Sequence, residues 1–316
     1  MTRAVCYTAT AGYLFQTVVS AVQARRHTAA GVDVTVVFVG DATSVEHRVF
    51  ERICTEHGIT VLTAPQASLR GLHPMYARLF LDLLLPAEVD EVLYLDGDTQ
   101  VVDDITPLVE ASVPPGGALA SLDPMVFNRR ADARARARID RWWDASGIPA
   151  AVRERYVNSG VLRIARRDIA GLRDHALQQT AEERAALRFP DQDAINTTLG
   201  DRIVPVSMSW NFPGFLLDTQ LVELAPPRII HFMSDPRPWN AALTPWGETH
   251  HRPYVDFTRQ HPEAEPYWSR LTGVRLLRYR AQQRFKRATE RRVWQSPEAA
   301  RAVTELERGT LALPAR

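Results

Sequence analysis

Along the first third of the chain, apolar residues switch repeatedly between a strand period and a helix period. Ala4–Thr8 alternates like a short strand, and Tyr13–Arg26 carries apolar residues at helical spacing. Val34–Val39 is a β-branched run with the length of a buried strand, closed by Gly40-Asp41. Ser44–His57 reads as a helix with Ser44 as its cap, Ile59–Thr63 as a strand, and Met75–Leu85 as a helix stopped by Pro86. Glu91–Leu95 is the next strand, and it runs straight into Asp96-Gly97-Asp98. This alternation predicts an α/β fold: one doubly wound, mostly parallel mixed sheet, Rossmann-like, with helices on both faces. The second half adds strands at Gly160–Ile164 and Arg228–His231 and a short helix at Asp193–Leu199. From about Pro262 the chain becomes Arg-rich and helical, so a main domain over 1–250 and a basic helical extension over 251–316 are expected.

Composition narrows the class. The 316 residues are 45% hydrophobic and 24% charged, an ordinary globular balance, and a net charge of +1 provides no field for nucleic acid. Two cysteines, Cys6 and Cys54, are too few for a disulfide framework, which fits a reducing cytoplasm. Residues 1–26 lack the long apolar run of a signal peptide or membrane anchor.

In doubly wound sheets, ligands bind at the carboxyl ends of strands. Asp96 and Asp98 stand there, separated by one residue and so directed to one side. Two carboxylates so close repel, and a divalent cation relieves the repulsion; oxygen ligands suit Mn²⁺ or Mg²⁺. The alternative is a polar turn after a strand. His231 ends another strand and has the chemistry to complete a metal's ligands, or to serve the structure alone. Arg237, fixed in Pro236-Arg237-Pro238-Trp239, suits phosphate oxygens or a surface turn. Arg78 on an apolar helix either snorkels or meets an anion, and Asp191-Gln192-Asp193 opens a helix, where acids also serve as caps. Asn158-Ser159-Gly160 reads as a turn before a strand.

In this order, the stretches Tyr76-Ala77-Arg78-Leu79, Tyr94-Leu95-Asp96-Gly97-Asp98, Leu122-Asp123, Asn158-Ser159-Gly160-Val161-Leu162, Asp191-Gln192-Asp193-Ala194-Ile195-Asn196 and His231-Phe232 with Arg237-Pro238-Trp239 resemble the retaining glycosyltransferases of family 8, which include glycogenin and bacterial lipopolysaccharide galactosyltransferases. The resemblance implies a GT-A fold, a UDP-sugar donor, usually Mn²⁺, and transfer to an acceptor hydroxyl on a glycan, lipid-linked sugar or small metabolite. It assigns Asp96, Asp98 and His231 to the metal, Arg237 to the diphosphate, and Arg78, Asp123, Asn158, Asp191 and Gln192 to the surroundings of the donor sugar. Gln192 falls at the position proposed for a nucleophile, yet an amide is a poor one, so same-face attack by the acceptor is expected. The family's acidic or amide residues after the first strand are replaced by Thr8-Ala9-Thr10-Ala11, which leaves hydroxyls of Thr8 and Thr10 for the base. Its usual Lys is Arg237, and a common Gly after the His is Ser234 or Asp235.

Arg270–Arg292 holds nine basic residues against one acidic, with Val274, Leu277, Ala281, Phe285 and Ala288 at helical spacing. Such a helix either lies peripherally on an anionic membrane, at the inner face, or packs its apolar stripe on the catalytic domain. Two competing functions are a nucleotidyltransferase and a non-catalytic nucleotide-sugar binder. The first normally needs a Gly-rich basic loop after the first strand, where only Gly12 is present. The second has no use for an intact Asp96, Asp98 and His231.

Overall fold

The computed structural model describes residues 1–314. A seven-stranded sheet has the order β3-β2-β1-β4-β7-β6-β8, from β1 (Thr2–Ala9), β2 (Asp33–Val39), β3 (Thr60–Ala64), β4 (Val89–Leu95), β6 (Ala118–Leu122), β7 (Val157–Ala165) and β8 (Ile203–Val206). All neighbours are parallel except those of β7, which runs antiparallel to both β4 and β6. A second sheet joins β5 (Thr99–Val101), β10 (Ile229–His231) and β9 (Phe212–Pro213) in that order. β10 matches the strand expected at Arg228–His231, whereas β5 and β9 are too short to carry a readable alternation and form through long-range pairing.

Both faces of the large sheet are covered, as a parallel sheet requires. On β1, Val5, Tyr7 and Ala9 pack with Leu14, Phe15 and Val18 of the Leu14–Arg26 helix, whereas Ala4 and Cys6 join the opposite core. β4 divides likewise, Leu93 and Leu95 to one side and Val92 and Tyr94 to the other. Ser44 caps the Val45–Glu56 helix by accepting from the His47 N–H, as its position before the helix implies. The helix expected over Met75–Leu85 is instead a 3₁₀ segment, Pro74–Phe80, continued by one α-turn, Leu81–Leu84. Both free cysteines are buried.

The boundary expected near residue 250 falls inside the Gly247–Gln260 helix. Its Tyr254 and Phe257 are buried against Phe15. The basic helix runs from Gly273 to Trp294, and its packing face is not the apolar stripe. Val274, Leu277 and Phe285 are exposed at 81%, 63% and 79%. The helix buries Gln283, Arg287 and Trp294, with Leu276 and Tyr279 on the Ile230–Trp246 cluster. Specific pairing overrides hydrophobic pattern here. Arg287 pairs with Asp218 and with Glu290 at 2.7 Å and donates to the Phe215 carbonyl at 2.6 Å.

A buried guanidinium that satisfies a carboxylate leaves an uncompensated charge when truncated. Arg287→Ala should therefore lower stability by about 2–3 kcal/mol, with Asp218 retaining Arg291 as a partial partner. Phe285→Ser should change it by less than ~0.5 kcal/mol. Equilibrium urea unfolding checks both, and equal losses would mean that the exposed stripe packs after all.

Candidate active site

The site forms where β4 ends and the antiparallel β7 begins. Register places Leu95 opposite Val161, so Asp96 meets Gly160, whose carbonyl accepts the Asp96 N–H at 2.8 Å. After Asp98 the chain enters β5, paired with β10 so that Thr99 faces His231. That pairing brings a histidine more than a hundred residues distant beside the two carboxylates. Its Nε2 lies 3.2 Å from Asp98 Oδ1 and 3.7 Å from Asp96 Oδ2. One ligand atom from each of the three residues falls within a 4.8 Å cluster.

A chain of hydrogen bonds sets the imidazole's orientation. The Gly160 N–H can only donate, so the oxygen it meets at 3.0 Å is Asn158 Oδ1. Asn211 Nδ2 donates to that same oxygen at 2.9 Å, which leaves Asn211 Oδ1 facing His231 Nδ1 at 3.0 Å. Nδ1 therefore donates to Asn211, and Nε2 is left to face the carboxylates. Burial lowers the imidazole's pKa, but Asp98 and Asp96 outweigh it, so Nε2 also carries a proton here and donates toward Asp98, a proton that a metal would replace. Gly160 is required by space: a Cβ there would lie 2.2 Å from His231 Cε1 and 2.9 Å from Asp96 Oδ2. Gly97 is required by helix packing, because its Cβ would meet Thr17 Oγ1 at 2.1 Å.

Charges are balanced unevenly. Burial raises the pKa of Asp98, but His231 and Arg237 outweigh it and hold the carboxyl at about 2. Asp96 moves the other way: burial raises it beyond what Arg78 recovers. Arg78 binds Asp96 Oδ1 at 2.7 Å, Asp191 at 3.0 Å and the Ser159 carbonyl at 3.0 Å, over the face of Tyr94. Arg237 pairs with Asp98 and donates to the Tyr13 hydroxyl at 2.5 Å. Asp235 is exposed and faces the Arg237 Nε at 3.2 Å.

Asp123 caps the Pro124–Ala131 helix through the Met125 N–H at 2.9 Å. Its other oxygen accepts from Asn158 and Gln192, each at 3.1 Å, while Gln192 Oε1 accepts the Ser159 N–H at 3.1 Å. Burial raises the Asp123 pKa despite these bonds. Within Asp191-Gln192-Asp193, the capping role falls to Asp193, which accepts from the Phe189 N–H and the Tyr156 hydroxyl.

Two clefts meet here. One, of about 460 Å³, is lined by Thr8, Thr10, Tyr13, Gly97 and Arg237 among others. The other, of about 590 Å³, is lined by Asp123, Asn158, Gln192 and His231 among others, with Asp191 beside them. Arg78, Asp96, Asp98 and Phe189 line both. Every candidate residue read from the sequence thus lies on one of two connected surfaces. Sequence reading missed Tyr13, Asn211 and Trp142, none of which carries a local signal. Thr8 Oγ1 bonds the Tyr94 hydroxyl at 3.2 Å.

A cation fits this donor set. Two carboxylate oxygens and an imidazole nitrogen converge, the nitrogen's partner is fixed, and a glycine keeps the space open.

The chain shares 25% identity over 214 residues with the lipopolysaccharide glucosyltransferase WaaO of Escherichia coli K12, a match covering 63% of this chain and 58% of that protein. The chain therefore spans less than two thirds of that relative's length. Its fold is similar to that of the galactosyltransferase LgtC solved with donor and acceptor sugar analogs, at a TM-score of 0.63 and 20% identity, covering 84% of this chain and 99% of that one. It also resembles the glycosyltransferase GlyE of Streptococcus pneumoniae TIGR4, at a TM-score of 0.57 and 19% identity over 84% of this chain and 64% of that one. The sequence pattern of glycosyl transferase family 8 matches residues 4–242, and the chain belongs to that family.

Proposed function

We propose that the chain is a retaining, metal-dependent glycosyltransferase that moves a hexose from a UDP-sugar to an acceptor hydroxyl. The observation that carries this reading is the Asp96–Asp98–His231 cluster at the junction of two clefts. The nucleotide would lie along Thr8, Thr10 and Tyr13, and the sugar near Arg78, Asp123, Asn158 and Asp191. The acceptor would enter from the larger cleft. Mn²⁺ or Mg²⁺ held by Asp96, Asp98 and His231 would supply positive charge against the departing diphosphate. Arg237 would add a guanidinium to the same oxygens, exchanging its Asp98 partner for phosphate.

Cleavage of the anomeric C–O bond builds positive charge on the sugar and negative charge on the diphosphate. Gln192 is held by Ser159 and Asp123, and its oxygen already accepts a backbone N–H. Same-face attack is the reading this favours, with Gln192 positioning the sugar. The acceptor proton would pass to the departing diphosphate oxygen. The nucleotidyltransferase alternative still lacks a triphosphate loop.

Peripheral membrane contact is part of the proposal. Among the described residues no helix is long and apolar enough to cross a membrane. The Gly273–Trp294 helix nevertheless exposes Val274, Leu277 and Phe285 beside Arg278 and Arg284, which suits the inner, anionic membrane face of a cytoplasmic enzyme.

Four outcomes test these readings. Asp98→Asn should lower turnover at least ~10²-fold, with EDTA abolishing activity and Mn²⁺ restoring it. Gly160→Ala, which displaces His231, should weaken Mn²⁺ binding by about 10- to 100-fold in calorimetry. Full activity in chelator, or wild-type Mn²⁺ affinity in the alanine variant, removes the metal site. An NMR time course should show the product keeping the donor's α-configuration, and a β-product would exclude the retaining mechanism. Finally, the protein should sediment with phosphatidylserine vesicles at low salt but not with phosphatidylcholine alone, and Phe285→Ser with Leu277→Ser should abolish this. Unchanged sedimentation in the double variant would refute docking through that face.

A further inference from the structure

The larger cleft changes character from floor to rim. Its floor holds the carboxylates Asp96, Asp98, Asp123 and Asp191. Its rim carries the exposed Arg138 and Arg188 together with Trp142. Arg138 stands one turn before Trp142 on the Ala133–Ala145 helix, and so shares its face. The Arg188 guanidinium carbon lies 5.7 Å from the Trp142 ring centroid and 5.5 Å from that of Phe189.

Both rim arginines are exposed, and among the described residues neither forms a salt bridge. Nearby arginines behave differently. Arg129 pairs with Asp140 and Glu154, Arg130 with Glu154, and Arg153 with Asp144. The third arginine of the cleft, Arg78, is held by Asp96 and Asp191. Two unpaired guanidinium groups thus share with an indole the outer part of a cleft whose inner carboxylates Asp96, Asp98 and Asp191 already have guanidinium partners. An aromatic face suits the C–H surface of a sugar ring, and planar guanidinium groups suit a phosphate or carboxylate.

We infer that Trp142, Arg138 and Arg188 form an acceptor subsite for an anionic saccharide, one whose phosphate or carboxylate group stays at the rim while a hydroxyl reaches the floor. The inference rests on the proposed transferase reading, which puts the nucleotide in the other cleft. The pairing gives the acceptor one orientation: the inner guanidinium groups Arg78 and Arg237 are already engaged by carboxylates, so an acceptor's anion finds its free partners at Arg138 and Arg188 while its neutral hydroxyl goes inward.

Ligand-observed NMR titrations of the whole chain test this, with glucose 6-phosphate, glucuronate, glucose and inorganic phosphate as probes. Each is titrated with and without UDP and Mg²⁺, so that failure of the nucleotide reading shows separately as absent UDP binding. Glucose 6-phosphate or glucuronate, or both, should bind about tenfold or more tightly than glucose, and inorganic phosphate more weakly than glucose 6-phosphate. A preference for one of the two identifies the anion as phosphate or carboxylate. Arg138→Gln and Arg188→Gln should each reduce that preference about tenfold, and Trp142→Ala should bring glucose 6-phosphate down to the level of inorganic phosphate. The arginine variants are at exposed positions, and a wild-type melting temperature verifies their fold. Equal affinity for glucose and both anionic sugars, or an anion preference unchanged in both arginine variants, overturns the subsite. Inorganic phosphate binding as tightly as glucose 6-phosphate overturns the role of Trp142.

Discussion

Mutual repulsion between Asp96 and Asp98 is the constraint around which the rest of the site is arranged. Two carboxylates one residue apart at a strand end, largely screened from water, are costly unless positive charge or donors surround them. The fold provides both from four directions. Arg78 comes from the 3₁₀ segment, Arg237 from the Pro-flanked loop, His231 from β10, and the Tyr94 hydroxyl from the strand itself, 2.8 Å from Asp96. The opposite shifts of the two carboxyls follow: Asp98, facing both His231 and Arg237, stays ionised far below the ordinary carboxylate range, while burial prevails at Asp96.

The reversal of β7 makes this arrangement possible. As the antiparallel member of a mostly parallel sheet, it places its first residues beside the last residues of β4 and β6. Asn158, Ser159 and Gly160 consequently touch Asp123, Arg78, Gln192 and Asp96 at once. Asn196 secures the neighbouring helix by bonding both the N–H and the carbonyl of Val157. A site built on strand ends and a pinned helix is stiffer than one built on loops, which suits positioning of a sugar.

The basic Gly273–Trp294 helix shows how far pattern and packing can diverge. By periodicity, Val274, Leu277, Ala281, Phe285 and Ala288 form the face that should be covered. Packing instead follows Arg287, because Asp218 and the Phe215 carbonyl offer a nearly complete set of acceptors at the protein surface. Periodicity reports which face is apolar but does not reveal what lies opposite, and a buried ion pair depends wholly on what lies opposite.

The sequence by itself determined the α/β alternation, the strand that delivers Asp96 and Asp98, and the identity of the main polar groups, because strand and helix periods and strand-end chemistry are local. The family motifs then named Asp123, Asn158 and Gln192, whose surroundings no local pattern reveals. Only the tertiary structure decided that Tyr13 meets Arg237, that Asn211 orients His231, and that Trp142 shares a cleft with Arg138 and Arg188, which form no salt bridge among the described residues. It likewise decided that Gly160 is needed for space rather than for a turn, since the atoms it would strike belong to His231 of β10 and to Asp96, the residue after β4. The reason is common to all four. Each depends on groups brought together by pairing between distant strands or by helix docking, and such meetings leave no trace in the spacing of residues along the chain.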